Sequence, residues 1–310
     1  MVLAATREGL ASARRAPGVA VTLWLVNLAL ALSAGVPAFL ALRSAIGKLP
    51  GADALAGGFD VGILIDLVET RPGLLDGLAL SAAGVAFLGL LAGAAATGGV
   101  LEVLSSRADD RPFGHRFGRG AGRFFLRFAR AGLLAGAGAV LAAAVVAGPL
   151  VALSGRMRRE TGAEVGSAVV ALCALLLAGV VVLVFLLALD AARIGIVRED
   201  ARRVLPLVGS ALGVVVRHPL AWLGTWALNA ALWALALSVY LAVRRLVPAG
   251  TGPLVLAMAL AQQAFVLARA WLRVALLGSE MALVSRLRPV PVPAPAEAAQ
   301  SVPEPDGPLA

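Results

Sequence analysis

The chain has 310 residues, 60% of them apolar and only 15% charged, with a mean hydropathy of +0.91. A soluble domain is about half apolar and a quarter charged, so this composition excludes a water-soluble globular protein and puts the excess of Ala, Leu, Val and Gly against lipid. The formal net charge of +9 would suit nucleic acid in a soluble chain. Here the positive residues lie between apolar runs, so anionic lipid headgroups are the expected partner and nucleic acid is not.

About twenty apolar residues in helical form cross the hydrocarbon core. Six windows meet that length: roughly 18–42, 78–101, 131–153, 167–189, 220–243 and 254–277. The first follows Arg7, Arg14 and Arg15, and Ala31 to Gly35 offers small residues of the kind that flank a signal-peptide cleavage site. Its apolar run is too long for a signal h-region and continues past Pro37, so it is expected to stay as a span. The fold class that follows is all-α: a polytopic membrane protein, a bundle of about six transmembrane helices with interfacial amphipathic helices. Residues 1–288 form the six-span membrane domain.

Of the 27 Lys and Arg residues, Arg43, Lys48, Arg71, Arg156, Arg158, Arg159, Arg244 and Arg245 fall on one side of the spans, and all the others fall on the opposite side. Positive segments stay inside. Both termini are therefore expected in the cytoplasm. Trp24, Trp222, Trp226 and Trp271 lie near the same face, where an aromatic belt is expected.

Each pair of spans is preceded by a basic, helix-compatible segment that is expected to turn into the membrane. The three junctions read Arg14-Arg15-Ala16-Pro17, Arg127-Phe128-Ala129-Arg130 and Arg217-His218-Pro219. This weak threefold pattern fits either duplicated hairpins or the internal repeats of transporters. The middle segment is the best defined. Arg116, Arg119, Arg123, Arg127 and Arg130 are spaced 3, 4, 4 and 3 and form one helical stripe, with Phe113, Phe117, Phe124 and Phe128 on an adjoining face. The expectation is an interfacial helix with its rings in the acyl boundary and its guanidinium groups at lipid phosphates.

The first outside loop, 43–77, interleaves Phe59, Val61, Ile63, Leu64, Leu67 and Val68 with Asp60, Asp66 and Glu69, a pattern for a short amphipathic surface helix. Residues 289–310 carry repeated prolines and are expected to form a disordered, Pro-rich cytoplasmic tail. Gly89-Leu-Leu-Ala-Gly93 and Gly132-Leu-Leu-Ala-Gly136 repeat a small-xxx-small spacing, which predicts close helix packing within the bundle, with dimerisation as the lesser alternative.

Ionisable groups at membrane depth are costly and mark the first place to look for function. Glu102 ends the second span, and Asp190 and Arg193 end the fourth. Arg269 and Arg273 sit four apart near the end of the sixth, with Glu280 beyond. If spans 2, 4 and 6 pack together, these six residues meet as one polar cluster at the cytoplasmic level. A plainer outcome is that Asp190 and Arg193 satisfy each other and the remaining arginines snorkel to the interface. Asn27, Asn229, Gln262 and Gln263 are expected to hydrogen-bond between helices.

No phosphate-binding loop, dinucleotide fingerprint or nucleophile elbow occurs. His115 and His218 are isolated, and Cys173 is the only cysteine, so no metal site, cofactor or catalytic set is expected. Asp109-Asp110 and Glu199-Asp200 each precede arginines and look like solvated, self-neutralised turns.

Three stretches resemble a class of bacterial six-span integral membrane proteins of the domain-of-unknown-function type. They are Gly98-Gly99-Val100-Leu101-Glu102, Asp190-Ala191-Ala192-Arg193-Ile194 through Val197-Arg198-Glu199-Asp200, and Arg217-His218-Pro219. The resemblance covers roughly residues 1–288 and implies a bacterial inner-membrane location with the same layout. That class is akin to the membrane region sometimes joined to glycerophosphodiesterase domains. This chain leaves no room for such a catalytic domain, so that activity is not expected. The leading expectation is a non-enzymatic scaffold, accessory or lipid-contacting component, with a protein partner or homo-oligomer open. The alternative is a transporter or permease subunit that uses the polar cluster, and a lipid enzyme is the lesser one.

Overall fold

A computed structural model describes residues 1–46, 69, 72–106, 111–160, 164–247 and 252–288. Every regular element among them is a helix, and no strand occurs among the described residues. The helices are α1 (Val2–Arg15), α2 (Pro17–Ile46), α3 (Pro72–Ser105), α4 (Phe113–Glu160), α5 (Glu164–Glu199), α6 (Val204–Arg217), α7 (Pro219–Leu246) and α8 (Gly252–Leu287). Six of them, all but α1 and α6, are long and apolar enough to cross a membrane. The chain is an all-α, multi-pass bundle, and each expected window lies inside one of these six helices. In hydrocarbon only a helix or a closed barrel satisfies its own backbone groups, so apolar runs of this length have no other local option. The expected surface helix around 59–69 lies outside the described residues apart from Glu69. The tail from 289 lies wholly outside them.

Three prolines open helices, where a missing N–H costs nothing, while Pro37 and Pro149 lie inside helices. Pro17, Pro72 and Pro219 open α2, α3 and α7. A residue before proline is pushed out of the α region. Ala16 accordingly adopts φ −125°, ψ 58° between α1 and α2, and His218 adopts φ −128°, ψ 50° between α6 and α7. The two corners are nearly superposable, which gives the first and third units of the repeat the same bend. The middle unit has no proline at Arg127–Arg130, and its basic segment runs straight into the span. α4 is therefore one helix of 48 residues, about 72 Å long, far more than the membrane requires.

The units close into a ring. α1 packs on α8, the start of α4 packs on α3, and α6 packs on α5. Each amphipathic segment thus docks on the second span of the unit before it, and α1 completes the circle by docking on the last. Glu8 and Arg286 form an ion pair across this closure, and Arg286 also donates to the Met1 carbonyl at 3.1 Å.

The protein's packed core follows from this arrangement. It gathers Val100 and Leu101, Phe124 and Phe128, Leu187 to Ile196, Val204 to Val215 and Val274 to Val284 at the end where α1 and α6 lie, here termed the basic end. Toward the opposite end, side chains such as Leu80, Val165, Leu175 and Leu235 are exposed, as lipid-facing residues must be.

Several expectations change here. The rings of α4 do not face an acyl boundary. Phe124 and Phe128 are buried and stacked at 5.9 Å, Phe117 packs on Gly99, and Phe113 packs on Gly18. An apolar stripe suits lipid and a neighbouring helix equally, and α3 presents glycines on which rings can lie flat. Trp222 is likewise buried in the core rather than part of a belt. Gly89, Gly93, Gly132 and Gly136 have open space where a Cβ would stand, so neither small-xxx-small repeat packs helices within the bundle. Close approach falls instead to Gly9 against Ser279 and Gly278, and to Gly98 against Gly120.

Candidate functional site

The polar cluster assembles at the basic end from α5 and α8. Arg193 donates to Asp190 at 2.9 Å within α5, one turn apart, and Arg273 reaches across from α8 to the other carboxylate oxygen at 3.5 Å. Asp190 is thus bridged between two guanidinium groups. Glu280 lies two turns beyond Arg273 and is 1% exposed; neither of its oxygens has a hydrogen-bond partner, and Asp190, Arg193 and Arg273 are the charged groups around it. Arg193 also stacks over the Phe128 ring at 5.9 Å, tying the cluster to the core.

Arg193, Arg269 and Arg273 together line a cavity of about 360 Å³ between α2, α3, α5 and α8. Asn27 and Thr97 add polar atoms, and Leu30, Gly89 and Gly93 extend the wall toward the middle of the span. The open space at Gly89 and Gly93 is this cavity. Arg269 forms no ion pair among the described residues, and no carboxylate lines the cavity beside the three arginines among the described residues. A second hollow of about 470 Å³ lies between α7 and α8. Trp226, Trp233 and Asn229 line it, and Arg269 and Arg273 form a wall common to both spaces.

Depth follows from helix length. Arg273 lies 21 residues along α8 from Gly252, about 31 Å at 1.5 Å per residue. A hydrocarbon core is about 30 Å thick, the same as the length of helix between Gly252 and Arg273.

Glu102 does not join the cluster. α3 turns it toward α4, where Arg119 donates to it at 2.5 Å. Gly120 makes the room, since a Cβ there would stand 2.4 Å from the Glu102 Cβ. The arginine stripe of α4 is also largely engaged within the protein. Arg116 donates to the Ser106 carbonyl at 2.9 Å, and Arg123 and Arg127 clamp Asp200 at 2.5 and 2.7 Å. Arg130 is exposed, with no ion pair among the described residues. Asp200 is therefore no self-neutralised turn. It follows α5 with φ 46°, a left-handed conformation that Asp tolerates better than most residues. The hydrogen bond from Arg127, with Arg123 beside it, holds its carboxyl below the usual 3.8. The i, i+4 pair on α4 was the available signal for this clamp, but nothing in the spacing names Asp200 as its partner.

Of the amides, Gln263 accepts from the Trp24 indole at 3.0 Å and joins α2 to α8. Asn229 donates within its own helix to the Thr225 carbonyl at 2.9 Å, and its buried Oδ1 has no partner among the described residues. No group of three or more His, Cys, Asp and Glu side chains gathers as a metal site among the described residues. Comparison with protein-family models, with curated proteins and with solved structures finds no match to this chain.

Proposed function

We propose that this chain is a non-enzymatic, lipid-contacting component of a bacterial inner membrane, with both termini in the cytoplasm, and that its basic-end cavity holds a phosphate-type anion. The supporting observation is the charge arrangement: three arginines surround one cavity, only Asp190 is bridged to two of them, and Arg269 is left for an incoming anion. Guanidinium groups suit phosphate because their planar donors match its oxygens. Phosphatidylglycerol retained through purification in mild detergent, and lost on Arg269→Gln, is the expected result. Arg269 is the residue to change because it leaves no carboxylate unpaired. A protein that retains no anion, and co-elutes instead with one stoichiometric protein partner, would make it an accessory subunit with a structural cluster.

A transport role is the second reading. The observation that favours it is the reach of the cavity from the arginines past Asn27 to Leu30 and Gly89, into the span. Uptake of a small organic phosphate into vesicles, dependent on Arg269, would move the assignment from holding an anion to conducting one.

A further inference from the structure

Resting on that anion-holding reading, we infer that the ligand is an anionic glycerophospholipid, its phosphate between Arg269 and Arg273 and one acyl chain in the groove between α7 and α8. The two hollows differ in chemistry and meet at these two residues. On one side stand Arg193, Asn27 and Thr97, a surface for a hydrated headgroup. On the other stand Trp226, Trp233, Leu272 and Leu276, a surface for hydrocarbon. A free anion would use the first and leave the second empty. An uncharged lipid would use the second and leave Arg269 without a counter-charge. Only an anionic amphiphile fills both.

The helix length between Gly252 and Arg273 matches the thickness of a hydrocarbon core, so a span that begins at Gly252 brings Arg273 to the headgroup side. The lipid need not be lifted from the membrane to bind; it enters sideways along α7. Trp226 and Trp233 are each 40% exposed, as expected of rings that wait for a chain. Asn229 lies on the same face of α7 and lines the same hollow.

The test is native mass spectrometry of the full chain released from detergent micelles. The probes are phosphatidylglycerol, phosphatidylcholine of the same chains, and water-soluble glycerol 3-phosphate. One phosphatidylglycerol is expected to stay bound at energies that strip phosphatidylcholine. Arg269→Gln should weaken it about tenfold or more. Trp226→Ala and Trp233→Ala should weaken it too while leaving glycerol 3-phosphate binding unchanged, and their unfolding temperature shows whether the fold survives. Glycerol 3-phosphate bound as tightly as phosphatidylglycerol would overturn the acyl-chain assignment while keeping the anion site. Equal retention of both phospholipids, with no binding of glycerol 3-phosphate, would overturn the anion site while keeping the acyl-chain groove.

Discussion

Gly120 of α4 lies so close to Glu102 of α3 that a methyl group on it would stand 2.4 Å from the Glu102 Cβ and 2.6 Å from the Gly98 carbonyl. The second neighbour is backbone and cannot swing aside. Gly9 meets the same limit, with the Ala275 carbonyl 2.3 Å from its would-be Cβ. Both glycines sit where an amphipathic segment docks on a span, so both act on the closure of the ring.

Gly120→Ala should therefore destabilise the bundle by about 1–3 kcal/mol, the usual cost of overpacking. Gly136→Ala, with open space at its Cβ, should cost nothing and gain about 0.5–1 kcal/mol in helix propensity. Thermal unfolding in detergent distinguishes them. Equal melting of the two variants would mean that the α3–α4 contact does not hold the ring.

These glycines show where sequence reasoning stopped. The six spans were legible because hydrocarbon allows a twenty-residue apolar run one conformation. A turn into the span was expected at all three junctions; it occurs at Ala16 and His218, where a proline follows, and not at Arg127–Arg130. Which glycine touches which helix was not, since Gly89 and Gly98 offer the same small surface and only the packing of α4 chooses between them. The cluster was half legible. Asp190 and Arg193 are neighbours on one helix, and Arg273 needed only the right partner span. Glu102 went elsewhere because the face it occupies points to α4, and composition at a helix end does not encode that rotation. The apolar stripe of Phe117, Phe124 and Phe128 misled for a related reason, because amphipathicity records a buried face and not the identity of what buries it.

Asp190 holds Arg193 and Arg273 together, and its side chain is 11% exposed. Asp190→Asn removes the charge that both guanidinium groups share. Breaking a buried pair costs about 3–5 kcal/mol. Arg273 is 39% exposed and recovers part of that in solvent or headgroup contact, so about 2–3 kcal/mol is expected. Adding Arg193→Gln to Asp190→Asn should recover some of the loss. A double variant that loses the sum of both single effects would mean that the pair is not coupled.

Glu280 is the reverse case. Its carboxyl is buried and neither oxygen has a hydrogen-bond partner, an arrangement that costs stability in any protonation state and most when charged. Glu280→Gln keeps the shape and removes the charge. The variant should melt at or above the wild-type temperature, whereas Glu280→Ala should melt lower because it leaves a cavity. A Gln variant that unfolds would show that the negative charge balances Arg193 and Arg273 and is needed there.

Asp200 supplies the pH-dependent test, outside the spans. Its carboxyl is held below 3.8 chiefly by the hydrogen bond from Arg127, so folding favours the ionised form. The stabilisation is fully present above the unfolded value and is lost as pH falls through the lower folded one. Asp200→Asn removes it at every pH while keeping a residue that accepts the left-handed φ of 46°. The wild-type melting temperature should therefore exceed that of the variant at pH 7, and the gap should close below about pH 3.8. The clamp is exposed to solvent, so added salt should narrow the gap at pH 7 as well. A gap that stays constant from pH 7 to pH 3 would mean that Asn fails for its shape rather than its charge, and that Arg123 and Arg127 do not depend on Asp200.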